Sequence, residues 1–168
     1  MSDDIQAHLD SLRPFLVDGS PHAAALGFQL ETITPNGASI RAPYREDLIG
    51  DPETRVLHGG VVTALLDHAC GMAAFAAMGG KKANATLDLR LDYMRPARPG
   101  EDVLAEAECV KVSGLFAFVS AIAHDGDRDD PVARATAAFM VTKAGEAAAK
   151  RARAELKAGA SPISQVKT

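Results

Sequence analysis

With 168 residues, 47% of them apolar and 24% charged, the chain has enough material for one hydrophobic core without disulfide or metal staples. A formal net charge of −4, with no concentration of Lys and Arg, argues against a nucleic-acid footprint. Two cysteines, Cys70 and Cys109, lie in apolar runs without ligand spacing and read as buried free thiols of a reducing compartment. The acidic start has no signal-peptide pattern and no uninterrupted apolar run reaches membrane-spanning length, so the expected location is the cytoplasm.

Residues Ile5, Leu9, Leu12, Leu16 and Val17 recur at helical spacing and predict a short amphipathic N-terminal helix, with Pro14 as a break. This helical segment occupies residues 1–23. Residues 27–34 alternate apolar and polar, Pro35-Asn36-Gly37 is a turn signal, and 38–43 returns as a second strand. Asn36-Gly37 offers the positive φ values of a tight hairpin turn. An irregular polar segment then leads to His58-Gly59-Gly60. Residues 61–78 are almost all Ala, Val, Leu, Met, Phe and Gly, closed by Gly79-Gly80, which predicts a helix buried on nearly every side.

Residues 85–93 alternate strictly, with Ala85, Leu87, Leu89, Leu91 and Tyr93 on one face and Thr86, Asp88, Arg90 and Asp92 on the other. Strands over 102–112, 115–124 and 132–142 follow in antiparallel succession. Beyond 143 an Ala/Lys/Glu/Arg segment with late Gly, Ser and Pro reads as a frayed helix and a disordered end. A hairpin, one apolar helix and consecutive strands fit an α+β domain over residues 24–143. In it an antiparallel sheet wraps around the helix and leaves a helix flank and a sheet edge for a second subunit.

The helix start carries the chemistry. Gly59 and Gly60 present unpaired N–H groups at the positive end of the helix dipole, an anion site that a backbone-hugging ligand can approach. Such a terminus stabilises the oxygen of a thioester carbonyl under attack, although glycines also serve any tight turn into a helix. Asp67 lies eight residues after Gly59 in surroundings too apolar for a free carboxylate. It must be hydrogen-bonded or shifted in pKa, and either suits a general base or nucleophile. His68, about 100° further round the helix, is a structural histidine, and His58 orients the loop or touches substrate. No third ligand accompanies these histidines at metal-binding spacing. Thr86 could hold a water or the carboxylate, or be an ordinary strand threonine. Small residues past Asp67, namely Cys70, Gly71 and Ala74, leave room for an acyl group.

The string Leu57-His58-Gly59-Gly60-Val61-Val62-Thr63-Ala64-Leu65-Leu66-Asp67 resembles the signature of hot-dog fold acyl-CoA thioesterases of the phenylacetate-degradation type. Ala85-Thr86-Leu87-Asp88-Leu89-Arg90-Leu91-Asp92-Tyr93-Met94-Arg95-Pro96-Ala97 and the segment 132–141 are similar to later parts of the same family. The resemblance implies a homodimer with a shared sheet, commonly a homotetramer built as a dimer of dimers, and an acyl-CoA substrate without metal or redox cofactor. It implies that the Gly59 N–H polarises the carbonyl, that Asp67 of the facing subunit is base or nucleophile, and that Thr86 stands near the attacking water. Arg95, Arg98, Ser113 and Gly114 would lie by the adenine nucleotide. One departure stands out: Pro52 occupies the position, seven residues before Gly59, where the family often has an Asn or Gln that helps hold substrate or water. Either the loop shifts register by one and Asp51 fills that substrate-binding slot, or the site lacks the donor.

Hydrolysis of an aryl- or short/medium-chain acyl-CoA is the leading expectation. An enoyl-CoA hydratase or dehydratase using His58 with Asp67 and a non-catalytic acyl-CoA-binding module are the alternatives. About 12 Å of helix separates Gly59 from Asp67, too far for both to touch one carbonyl, so the working pair should join two subunits.

Overall fold

The computed structural model describes residues 2–17 and 19–141. The expected C-terminal helix and tail lie outside the described residues. Helix α1 (Ser2–Leu16) and the short α2 (Pro21–Ala25) precede hairpin strands β1 (Gln29–Thr34) and β2 (Gly37–Ala42). Helix α3 (Gly59–Ala77) follows, then β3 (Asn84–Tyr93), β4 (Val103–Ser113), β5 (Phe116–His124) and β6 (Ala133–Val141). All pairings are antiparallel in a six-stranded sheet of order β1-β2-β4-β5-β6-β3.

The sheet closes around α3 because its inner face is lined with alanine. Ala105, Ala107, Ala117, Ala121, Ala123, Ala133, Ala135 and Ala137 are all buried there. Their short side chains let the helix approach, while its larger residues fill the space: Leu65 and Leu66 are fully buried, each worth about 1.5–3 kcal/mol relative to exposure. The helix is not hidden all round, however. Gly59 and Gly60 are exposed, and Thr63, Ala64 and Asp67 are half-buried, so one flank of α3 beside β3 stays open.

Four sequence expectations change in detail. Helix α1 continues through Pro14 to Leu16, since a proline so near the C-terminus removes one backbone hydrogen bond without stopping the last turn. The hairpin loop is Pro35-Asn36, because Gly37 already pairs with Thr34, and neither Asn36 nor Gly37 has positive φ. Pro35 fixes its own φ near −65°, which excludes the left-handed type I′ geometry. Gly37 is instead required by close approach: a Cβ there would stand 2.8 Å from the Ala107 carbonyl oxygen. In the third change, β3 pairs with β6 rather than β4, which inserts between β2 and β5, so the strands after α3 are not a simple meander.

The fourth change matters most for the site. A β-bulge at Leu87 breaks the strict alternation of β3: Thr86 pairs with Phe139 and Asp88 with Ala138. Thr86 therefore shares the helix-facing side with Leu89, Leu91 and Tyr93, whose partners are Ala137, Ala135 and Ala133, while Leu87 turns out to solvent at 53% exposure.

The two sheet edges differ. Helix α1 guards β1: Gln6 donates to the Ile33 carbonyl at 3.0 Å and Arg13 to the Glu31 carbonyl at 2.9 Å. Among the described residues nothing pairs with the outer edge of β3, a ten-residue strand.

Candidate active site

Helix α3 begins where the loop after β2 folds back on itself. Gly50 and His58 pack so closely that a Cβ on Gly50 would lie 2.9 Å from the His58 Cα. His58 is the N-cap, extended at φ −61° and ψ 135°, and its Nδ1 accepts the Gly60 N–H at 2.9 Å. That bond fixes the neutral tautomer, with the proton on Nε2. The Val61 N–H goes to the His58 carbonyl at 2.9 Å. Among the described residues, the Gly59 N–H has no acceptor. The geometry thus separates the two glycines: Gly60 spends its N–H on the cap, and Gly59 offers the free donor at the positive end of the helix.

Gly59 opens onto a cleft of about 360 Å³ lined by Leu57, Val62, Tyr93, Met94, Pro96 and Val132. Two residues not singled out from the sequence hold its carbonyl. Tyr93 donates its hydroxyl to the Gly59 oxygen at 2.6 Å, and Thr63, 2.7 Å from that hydroxyl, lies 3.1 Å from the same oxygen. The phase of Tyr93 with Leu89 and Leu91 was the available signal.

Two turns further along α3, Asp67 accepts a hydrogen bond from the Thr86 hydroxyl at 2.9 Å. The bulge at Leu87 makes this possible by turning Thr86 inward. Behind them, Asn84 donates to the Gly71 carbonyl at 3.0 Å, and a Cβ on Gly71 would stand 3.4 Å from the Phe139 ring. The space expected beside Gly71 is therefore already filled by Phe139 and Asn84, and Gly71 serves close packing. Cys70 is buried on the same helix, and desolvation pushes its thiol up to about 12. His68 is structural: its ring stacks obliquely on Phe28 at 6.4 Å, its Nε2 meets the Leu16 carbonyl at 3.1 Å, and burial lowers its pKa.

The remaining expected site residues are distributed differently. Both oxygens of Asp51 close its own turn, one accepting the Thr54 hydroxyl at 2.7 Å and the other the Glu53 N–H at 3.0 Å. These bonds, that from Thr54 foremost, hold its carboxyl below the usual range. The turn is completed by Arg55 at φ 59°.

Arg95 cannot grip a phosphate as it stands. Its guanidinium gives two bonds to the buried Asp125 at 2.6 and 2.8 Å, one to Asp130 at 2.8 Å, and two to the carbonyls of Pro96 and Asp130. All five donors are used. Asp125, paired first with Arg95 and also accepting the Arg98 N–H at 2.7 Å, is held down to about 2. The Arg98 side chain is 55% exposed and stands 3.9 Å from Asp125, which leaves its guanidinium facing solvent at this corner. Ser113 and Gly114 form the β4–β5 turn at the other end of the sheet, separated from Arg98 within one chain by the nine-residue β5, roughly 30 Å.

Comparison with known proteins agrees with this geometry. The thioesterase superfamily model matches residues 55–132, the stretch from the loop before α3 to the start of β6. The Halobacterium salinarum protein VNG_1336C is 34% identical over 114 residues, covering 66% of this chain and 72% of its own. YigI of Escherichia coli, a medium/long-chain acyl-CoA thioesterase by name, is 28% identical over 134 residues, or 72% of this chain and 85% of YigI. Among solved structures, a Pseudomonas aeruginosa protein superposes with a TM-score of 0.66 at 35% identity, over 84% of this chain and 98% of its own. The phenylacetic acid degradation protein PaaI of Thermus thermophilus does so at 0.64 and 27%, over 73% and 100%. A six-stranded sheet curled around one helix, a free N–H where that helix begins and these matches lead to one assignment: the chain belongs to the thioesterase superfamily and is a hot-dog thioester hydrolase.

Proposed function

We propose that the protein hydrolyses acyl-CoA thioesters in a homodimer whose two active sites each combine Gly59 of one protomer with Asp67 of the other. The observation that carries this reading is the placement of the two groups at opposite ends of the open strand β3. Gly59 is tied to Tyr93 at its C-terminal end and Asp67 to Thr86 near its N-terminal end. An antiparallel β3–β3 ladder about a two-fold axis at Arg90, with Leu87 bulged out of the ladder as it is against β6, sets Tyr93 opposite the partner's Thr86, and so brings Gly59 to the partner's Asp67. The guarded β1 edge and the open β3 edge favour this pairing over the alternative.

In the reaction the thioester oxygen accepts the Gly59 N–H, and the helix dipole supports the negative charge that develops there. Asp67, positioned by Thr86, takes a proton from the attacking water, so that CoA thiolate leaves and the free acid forms. Alternatively it attacks the carbonyl itself, displacing CoA thiolate and leaving an anhydride on Asp67 that water then cleaves to the acid. The chemistry asks for no metal or redox cofactor, and CoA enters only as part of the substrate. The same pairing carries Arg98 of one protomer toward the partner's Ser113–Gly114 turn, where the nucleotide end of CoA would lie.

The cleft at Gly59, about 360 Å³ within one protomer, would receive the thioester end of the substrate, and the proposed cargo is an aryl or short to medium acyl group. Hydration is disfavoured, because the Nδ1 of His58 is already an acceptor for Gly60 and cannot also take a proton from substrate.

Release of free CoA from a panel of acyl-CoAs by wild type and Asp67→Asn tests the reading. A loss of kcat of at least about 10³-fold is expected in the variant. Equal rates would remove Asp67 from the mechanism, and tight binding of a CoA thioether without turnover of any thioester would favour a binding module.

A further inference from the structure

The glycine pair that begins α3 is the least rigid way to start a helix: glycine has the widest φ/ψ freedom, and the first turn frays most easily. An oxyanion donor on such a segment needs an external hold. The structure supplies one on each edge of a single peptide group. On one edge, the N–H of Gly60 is held by His58 at 2.9 Å. On the other, the carbonyl of Gly59 is held by the Tyr93 hydroxyl at 2.6 Å, with Thr63 bracing that hydroxyl at 2.7 Å. Tyr93 also stands over the Gly59 Cα, its hydroxyl 3.5 Å from where a Cβ would be. The Gly59 N–H belongs to the preceding 58–59 peptide, whose His58 carbonyl accepts the Val61 N–H at 2.9 Å. With the peptides on both sides of the Gly59 Cα held, the N–H keeps one direction beside the cleft that Gly59 and Tyr93 both line.

We infer that Tyr93 is a positioning residue for the oxyanion donor: it reaches across from β3 to lock the first peptide of α3, so that the Gly59 N–H is aimed before substrate binds. This rests on the assignment of Gly59 as the carbonyl-polarising group. It also accounts for an otherwise awkward side chain, a tyrosine left 51% exposed on one protomer with its hydroxyl turned back into a polar cluster at the helix start.

A double-mutant cycle on the full-length protein tests it, using kcat and KM for CoA release. Gly59→Pro removes the N–H, while Tyr93→Phe removes only a hydroxyl and keeps the ring that covers Gly59. Tyr93→Phe is expected to lower kcat about tenfold with KM within about twofold, the pattern of a misaimed donor rather than of weaker substrate binding. In the Gly59→Pro background the same substitution should have no further effect on kcat, since there is no N–H left to aim. A kcat for Tyr93→Phe within twofold of wild type, or an equal tenfold loss in both backgrounds, overturns the inference while leaving Gly59 in place. Full activity of Gly59→Pro alone would instead overturn the assignment of Gly59 on which it rests. A melting temperature for Tyr93→Phe within a few degrees of wild type ties the kcat loss to positioning, whereas a drop matching it would make Tyr93 merely structural.

Discussion

Replacing Gly59 with proline isolates one hydrogen atom. Gly59 is the first residue of α3, the position where proline is best tolerated because its N–H has no partner within the helix. The preceding His58, at φ −61° and ψ 135°, already has the extended conformation that a following proline demands. The new Cβ meets the Tyr93 hydroxyl at 3.5 Å, ordinary van der Waals contact. Stability should therefore change by no more than about 1 kcal/mol, and in either direction. Loss of an oxyanion donor costs about 10²–10³ in kcat, or about 2.7–4 kcal/mol of transition-state stabilisation. Gly59→Ala adds the same Cβ but keeps the N–H, and should retain kcat within about threefold. Steady-state CoA release with thermal melts on all three proteins separates the effects. Gly59→Pro and Gly59→Ala losing activity equally would refute the reasoning, because the shared Cβ and not the N–H would then be responsible.

Thr86→Val should lower kcat roughly tenfold with little change in KM, and Thr86→Ser should recover most of the loss, since only the hydroxyl that positions Asp67 differs. Asp125→Ala leaves the Arg95 guanidinium without its buried partner and should cost about 3 kcal/mol in urea unfolding. The folded pKa of Asp125, near 2, lies below its unfolded value, so its contribution is complete above roughly pH 4 and disappears as pH falls toward 2. The variant should accordingly show a shallower loss of stability across that acid window. Cys70 and Cys109 are both buried with raised pKa values and should stay unreactive toward a thiol reagent at neutral pH until the protein is unfolded.

The fold was legible because two periodicities dominate the chain. Ala-rich apolar sequence from Val61 to Met78 marked a helix buried over most of its surface, and alternation in the strands marked, outside the bulge of β3, the faces of the sheet that encloses it. Local punctuation was legible too: Gly79 and Gly80, at φ 84° and 64°, end α3 as expected. The bulge at Leu87 was not, since a skipped residue leaves no trace in an alternating pattern; it shows only as an unpaired position opposite β6. That single residue decides whether Thr86 faces solvent or Asp67. The role of Arg95 is hidden for a related reason. Its carboxylate partners Asp125 and Asp130 lie 30 and 35 residues away and meet it only after β3 and β6 pair, so nothing local distinguishes a clamp from a phosphate grip. Tyr93 reads as one more apolar residue of its face because its hydroxyl acts on a helix start 34 residues earlier.

The central claim is that each site is divided between two protomers. Two inactive chains test it most directly: Asp67→Asn, which keeps Gly59, and Gly59→Pro, which keeps Asp67. Unfolded together in equal amounts and refolded, about half the dimers are mixed and each mixed dimer holds one intact pair, so about a quarter of wild-type activity should return. If Gly59 and Asp67 instead act within one chain, no mixture contains an intact site, and activity at the level of the separate variants would contradict the account.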